Sequence, residues 1–192
     1  MTLILVAPPA AEPVSLGQTK AFLKVDHDDE DALIGTLIAA ARLHVEAAIR
    51  RVLVAQGWRL VLDGWPPPGL RGRTVEIPLS PVSSVDAVTV FDREGAPVVL
   101  DPSAYVADVS SYPARLLVRD GVSPGAAFNG VEIDFTAGYG DAGDVPAPIV
   151  QAILQLVAHW YETREPVAFG GPVTEVPRTV AALIASYRAV TL

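Results

Sequence analysis

The chain predicts an α+β fold, a helical bundle built from its N- and C-terminal segments with a small antiparallel β-sheet inserted between them. Three observations predict it. Apolar residues recur at helical spacing from Leu33 to Val52, period-two alternation takes over from Gly57, and an almost wholly apolar helix opens after Pro146. The organisation that follows is one domain over residues 1–192, with a helical body of residues 15–56 and 146–192 and a β region of residues 57–137. A chain of 192 residues is long enough for a core that buries well over half of the unfolded surface.

Taken in order, Leu3 to Val6 is an apolar run too short for a signal-peptide core and has no Lys or Arg before it, so export is not expected. Ser15 with Gln18 forms a capping-box pattern that starts a short helix over about residues 16–24. The acidic run 26–31 precedes Leu33, Leu37, Ile38, Ala41, Val45, Ala48 and Val52, the i, i+3, i+4 pattern of a core-facing helix. Glu46 stands four residues before Arg50, the favourable order for a surface ion pair. The alanines 39–41, 47 and 48 leave room for a neighbouring helix to approach closely.

Beyond Gly57, Val75, Ile77 and Leu79 alternate with polar or Pro residues, and Pro78 and Pro81 confine that strand to an edge. Strands are expected at 85–91, 98–100, 105–109, 115–118 and 131–135, with Arg93-Glu94-Gly95 as a hairpin turn. The loop Gly64-Trp65-Pro66-Pro67-Pro68-Gly69 is stiffened by proline; Trp65 either folds back onto the core or projects, with Pro67, as a contact, since Trp is enriched at binding hot spots. A second long connection, residues 166–176, carries Phe169 and Gly170-Gly171. After it, Pro177 opens an amphipathic helix with Val180, Leu183, Ile184 and Tyr187 at i, i+3, i+4 and i+7. A helix this short persists only if it docks, on its own helical body or on a partner.

Hydrophobic residues make up 51% of the chain, above the usual roughly 45–50%, a surplus that suggests burial against other chains. The absence of cysteine rules out disulfides and thiolate metal sites. The stretch 147–160 is interrupted by Gln151, Gln155 and His159 and falls short of a membrane span, so no membrane partner is expected. A net charge of −8 opposes binding to nucleic-acid phosphates.

The chemistry-bearing patterns are weaker than they look. Gly138-Tyr139-Gly140-Asp141-Ala142-Gly143 fits GxGxxG between a strand and a helix. Asp141 and Asp144 would repel a pyrophosphate, Pro146 and Pro148 delay the helix, and no parallel strand with an acidic ribose ligand follows. Gly138, Gly140, Gly143 and Pro146 therefore read as a structural turn and helix start, although a small-molecule or enzymatic use of the turn stays as a distant alternative. The run 26–31 has Asp31 and Leu37 where an EF-hand needs Gly and Glu, so it reads as charge at a helix start. Gln151, Gln155, His159 and Glu162 read as a polar helix stripe, and no nucleophile–base arrangement appears. No catalytic residue, cofactor or metal is expected.

The helix that begins at Ala147 has two apolar faces, Ile149, Ile153, Leu156, Trp160 and Val150, Leu154, Val157, Tyr161, and must be covered on more than one side. The block 131–165 (VEIDFTAGYGDAGDVPAPIVQAILQLVAHWYETRE), with the helical start 15–53, the IPLSPVSSVDAVTVFDREG strand pair and the tail PRTVAALIASYR, resembles the head-to-tail connector (adaptor) proteins of tailed phages and phage-derived gene transfer agents. That resemblance implies a structural, non-enzymatic protein. It implies a homo-oligomeric ring, dodecameric in the family, between the capsid portal protein and a tail-side stopper or tail-terminator protein, with DNA passing through as cargo. It places the chain in the bacterial cytoplasm during assembly and then in the neck of the particle. A stopper or tail-completion protein is the alternative within the same kind of particle. Trp65, Pro67, Phe169, Arg178, Leu183, Tyr187 and Arg188 are the candidate interface residues, the last four because C-terminal segments of connectors often engage the portal.

Overall fold

The computed structural model of the chain describes residues 1–69, 72–119, 123–163 and 177–189. In chain order the elements are β1 (Thr2–Ala7), α1 (Leu16–Leu23), α2 (Asp31–Ile49), β2 (Gln56–Leu62), β3 (Arg73–Ile77), β4 (Val82–Phe91), β5 (Pro97–Val99), β6 (Tyr105–Asp108), β7 (Ala114–Val118), β8 (Val131–Ala137), α3 (Ala147–Glu162) and α4 (Arg178–Ile184), an α+β arrangement. They fall into two compact units. One comprises Met1–Ala10 and Ala55–Tyr139; the other comprises Ala11–Val54 and the described residues from Gly140 onward.

The β unit holds two antiparallel sheets where a single one was expected: five strands in the order β1-β2-β8-β4-β5, and three in the order β3-β7-β6. β8 sits at the centre of the larger sheet and shows why alternation matters. Val131, Ile133, Phe135 and Ala137 are buried, while Glu132, Asp134 and Thr136 point to the other face. There Arg59 of β2, opposite Asp134 in register, donates two hydrogen bonds to its carboxylate at 2.6 and 2.9 Å and pairs with Glu132 at 3.0 Å. In the smaller sheet Val75 and Ile77 of β3 and Ala114, Leu116 and Val118 of β7 turn inward. β3 lies at an edge of its sheet and ends at Ile77, immediately before Pro78, which has no N–H to donate to a ladder.

The strand absent from the sequence reading is β1. It pairs with β2 from Thr2↔Val61 to Ala7↔Gly57, and Gly57 lets it come close: a Cβ there would lie 3.2 Å from the Ala7 Cβ. The run Leu3 to Val6, read only as too short for a signal core, is thus an edge strand ended by Pro8 and Pro9. The turn at Arg93-Glu94-Gly95 does join β4 to β5, fastened by Asp92 Oδ1, which accepts from the Glu94 and Ala96 amides at 3.0 and 2.8 Å.

In the helical unit, Ser15 caps α1 by accepting from the Gln18 amide at 3.1 Å. α2 buries Ile38, Ala41 and Val45 of the expected face, but that face is shifted towards Ile34 and Ile49 and away from Leu33. Its buried residues are Ile34, Ile38, Ala41, Arg42, Val45 and Ile49, while Leu33 is 39% and Leu43 57% exposed. Val52 is buried but lies beyond the helix, which ends at Arg50 in the left-handed conformation. The predicted Glu46–Arg50 pair is replaced by Glu46–Arg42 at 2.9 Å, with Arg42 also held by Glu12 at 2.8 Å and Glu46 accepting from the Leu53 amide. By length and apolar character α2 could cross a membrane, but its buried face and this ion-paired cluster are those of a helix within a protein core. Among the described residues α3 buries Ile149, Ala152, Ile153, Leu154, Leu156 and Val157, and packs against α1, α2 and α4.

Candidate assembly interface

The glycine turn is built around its own carboxylates. Gly138 and Gly140 have φ of +133° and +131°, a region open to glycine, and Gly140 brings the backbone beside Asp144. The Asp144 carboxylate accepts from the Asp141 amide at 2.9 Å, and a Cβ on Gly140 would stand 2.4 Å from the Asp144 Oδ2. A short 3-10 turn, Ala142–Asp144, separates this from α3, and Pro146 precedes the helix as its N-cap residue. The space a phosphate would need beside the turn is filled by an acidic side chain. Gly143 has no positive φ and open space around its Cα.

The acidic run before α2 is tied down by Lys20 of α1, whose ammonium reaches Asp28 at 2.5 Å and Asp31 at 2.7 Å. These hydrogen bonds, that to Asp28 foremost, raise the Lys20 pKa, and the Lys20 bond holds the Asp28 carboxyl below its usual range. Glu30 accepts a hydrogen bond from the Tyr161 hydroxyl of α3. The run therefore fastens one helix to two others, and the N-cap Glu30 makes no side-chain cap of its own. Among the described residues no three His, Asp or Glu side chains converge as metal ligands would. The expected polar stripe of α3 is only partly solvated: Gln155 Oε1 and His159 Nε2 are buried without hydrogen-bond partners, and Glu162 is exposed.

The residues singled out as contacts fall in separate places. Trp65 is half-buried with its indole N–H shielded from solvent, whereas Pro67 is exposed. Phe169 lies outside the described residues. α4 packs on its own helical unit: Val180 and Ile184 are buried, the Ala189 amide donates to the Ile49 carbonyl at 2.8 Å, and Arg51 Nε donates to the Tyr187 carbonyl at 2.8 Å. Leu183 and Tyr187 are half-buried, and Arg178 and Arg188 are exposed beside them. Arg51 gave no signal in the sequence, because its partner is a carbonyl far along the chain. In the β unit a concavity of about 590 Å³ is bordered by Met1, Pro66, Glu76 and Tyr112, with Glu76 the charged side chain among the described residues that line it.

In this mixed fold the glycine turn and the acidic run are both engaged in contacts within the chain. The model of the phage gp6-like head-tail connector protein family matches residues 13–91. Three solved structures are similar over 100% of this chain and 97% of their own. The "Neck of empty GTA particle computed with C6 symmetry" matches at TM-score 0.80 and 26% identity. The "Virion of native gene transfer agent (GTA) particle" matches at 0.79 and 26%, and the "Neck of native GTA particle computed with C12 symmetry" at 0.74 and 27%. A comparison with proteins of curated function gave no match. The family model over residues 13–91 and the neck structures over the whole chain agree with the resemblance to head-tail connector proteins read from the residues.

Proposed function

We propose that this connector is the adaptor of a phage-type particle neck: copies form a closed ring, twelve in number, between the portal protein and a tail-side stopper or terminator, and DNA passes through the channel. The observation that carries this reading is the full-length match to chains of a particle neck computed with C6 and C12 symmetry. The net charge of −8 supports passage of DNA rather than its retention. The role needs no catalysis, and both the filled glycine turn and the Lys20-bound acidic run support a protein without cofactor or metal. Assembly takes place in the bacterial cytoplasm, and the finished ring stays in the neck. Arg178, Leu183, Tyr187 and Arg188 of the tail, with Phe169 before it and Trp65 and Pro67 of the proline loop, are the proposed contacts to other proteins.

Copy number in purified particles, with co-purification against portal, tests this. The isolated chain is expected to be monomeric or weakly associated and to form rings on portal, because a head-to-tail contact closes only when its rotation matches the ring. One copy per particle, or a two-fold dimer that persists in the assembled state, refutes it. Co-purification with the connector ring of the particle but never with portal identifies a stopper instead.

A further inference from the structure

Resting on the proposed ring, we propose that the two open edges of the five-stranded sheet are the two halves of the contact between copies, β1 of one copy docking along β5 of the next. A ring contact is heterologous, so every copy must present two different surfaces. The sheet order β1-β2-β8-β4-β5 leaves two unlike open ends in one compact unit. Both ends are apolar and exposed: Met1 is 74%, Ile4 47%, Leu5 45% and Val6 57% accessible at one, Val98 50% and Val99 67% at the other. Neither strand, TLILVA or PVV, carries a charge, in a chain whose net charge is −8. Copies that repel elsewhere meet here without like charges opposed.

An uncovered edge strand normally carries Lys, Pro or an inward charge that prevents pairing. β1 has none of these, and its one register shift, between Leu5 and Ala7, leaves Thr2 to Leu5 regular. On β5, Leu100 donates to Val88 and Asp92 to Ala96, so by antiparallel alternation Pro97 and Val99 face the open side. Pro97 has no N–H to leave unpaired there, and Val99 presents both its groups to an incoming strand. Backbone pairing is short, and burial of the apolar side chains makes up the rest of the contact.

The chain contains no cysteine, so introduced pairs report without background. Ile4→Cys or Leu5→Cys, which point to opposite faces of β1, is combined with Val98→Cys or Val99→Cys and oxidised in necks assembled on portal-bearing particles. A ladder of multimers from at least one double variant, and none from the single variants, is expected. Ile4→Lys, at an exposed position, is expected to melt as wild type and to be lost from the ring. Dimers from a β1 single variant mean a two-fold contact and overturn the inference. Intact rings that neither cross-link nor respond to Ile4→Lys overturn it while leaving the ring; necks with no ring at all overturn the proposed function itself.

Discussion

Replacing Gly140 by Ala tests whether the GxGxxG-like turn is a structural device. At φ +131° an L-residue is strained, by about 1–3 kcal/mol. The new Cβ would meet the Asp144 Oδ2 at 2.4 Å, but that carboxylate is the exposed end of a side chain and can swing out. What is lost is therefore its hydrogen bond from the Asp141 amide, worth about 0.5–1 kcal/mol at an exposed site, rather than packing. Against this, Ala restricts the unfolded chain and returns about 0.4–1 kcal/mol. The net destabilisation is about 2 kcal/mol, or roughly 4–8 °C in melting temperature for a chain of this length. Gly143→Ala is the internal control, since that glycine has neither positive φ nor a neighbour in reach, and should be stabilised by about 0.4–1 kcal/mol through the unfolded chain alone. Calorimetry of both variants beside wild type decides it. Equal melting of Gly140→Ala and Gly143→Ala would show that the turn is not held as described, and saturable dinucleotide binding abolished by Gly140→Ala would overturn the structural reading altogether.

Two further outcomes are expected. Asp108 accepts from Ser111 Oγ at 2.6 Å, from Arg115 at 2.5 Å and from Ser110, and these bonds, Ser111 first, hold its carboxyl well below its ordinary 3.8. Because the folded value is the lower one, the stabilisation is complete above pH 3.8 and disappears as pH falls through the folded value; a carboxyl NMR titration should show this, with Arg115→Ala moving the midpoint up, and a midpoint already at the ordinary value contradicts the geometry. Truncation after Gly171 removes Val180 and Ile184 from the core of the helical unit, about 1.5–3 kcal/mol each, so calorimetry should show a clear loss of stability. A truncated chain that stays folded and binds portal with unchanged affinity eliminates the tail as an interface.

Much of the fold is legible in the residues because local spacing reports which side of an element is buried. The alternation of Val131, Ile133, Phe135 and Ala137 marks β8, Pro78 marks where β3 stops, and Pro177 with Val180 and Ile184 marks α4. Of the candidate site, the glycine turn was legible, since Gly at positive φ and a following acidic side chain are both local. The docking of the tail was not, because Ala189 and Ile49 are joined only through the folded helical unit.

What the residues alone determined, then, is the kind and order of the elements after β1 and a likeness to connectors. Tertiary structure decided the rest where local signals are degenerate. α2 is apolar around most of its circumference, so spacing favoured Leu33 and Ala48 as readily as Ile34 and Ile49; the cluster of Arg42 with Glu12 and Glu46 fixes which face turns inward. Alternation tells a strand which face is buried but never which strand lies beside it. The split into two sheets, the pairing of β1 with β2 and the two apolar edges left open all come from backbone hydrogen bonds between residues distant in sequence, to which period-two spacing is blind.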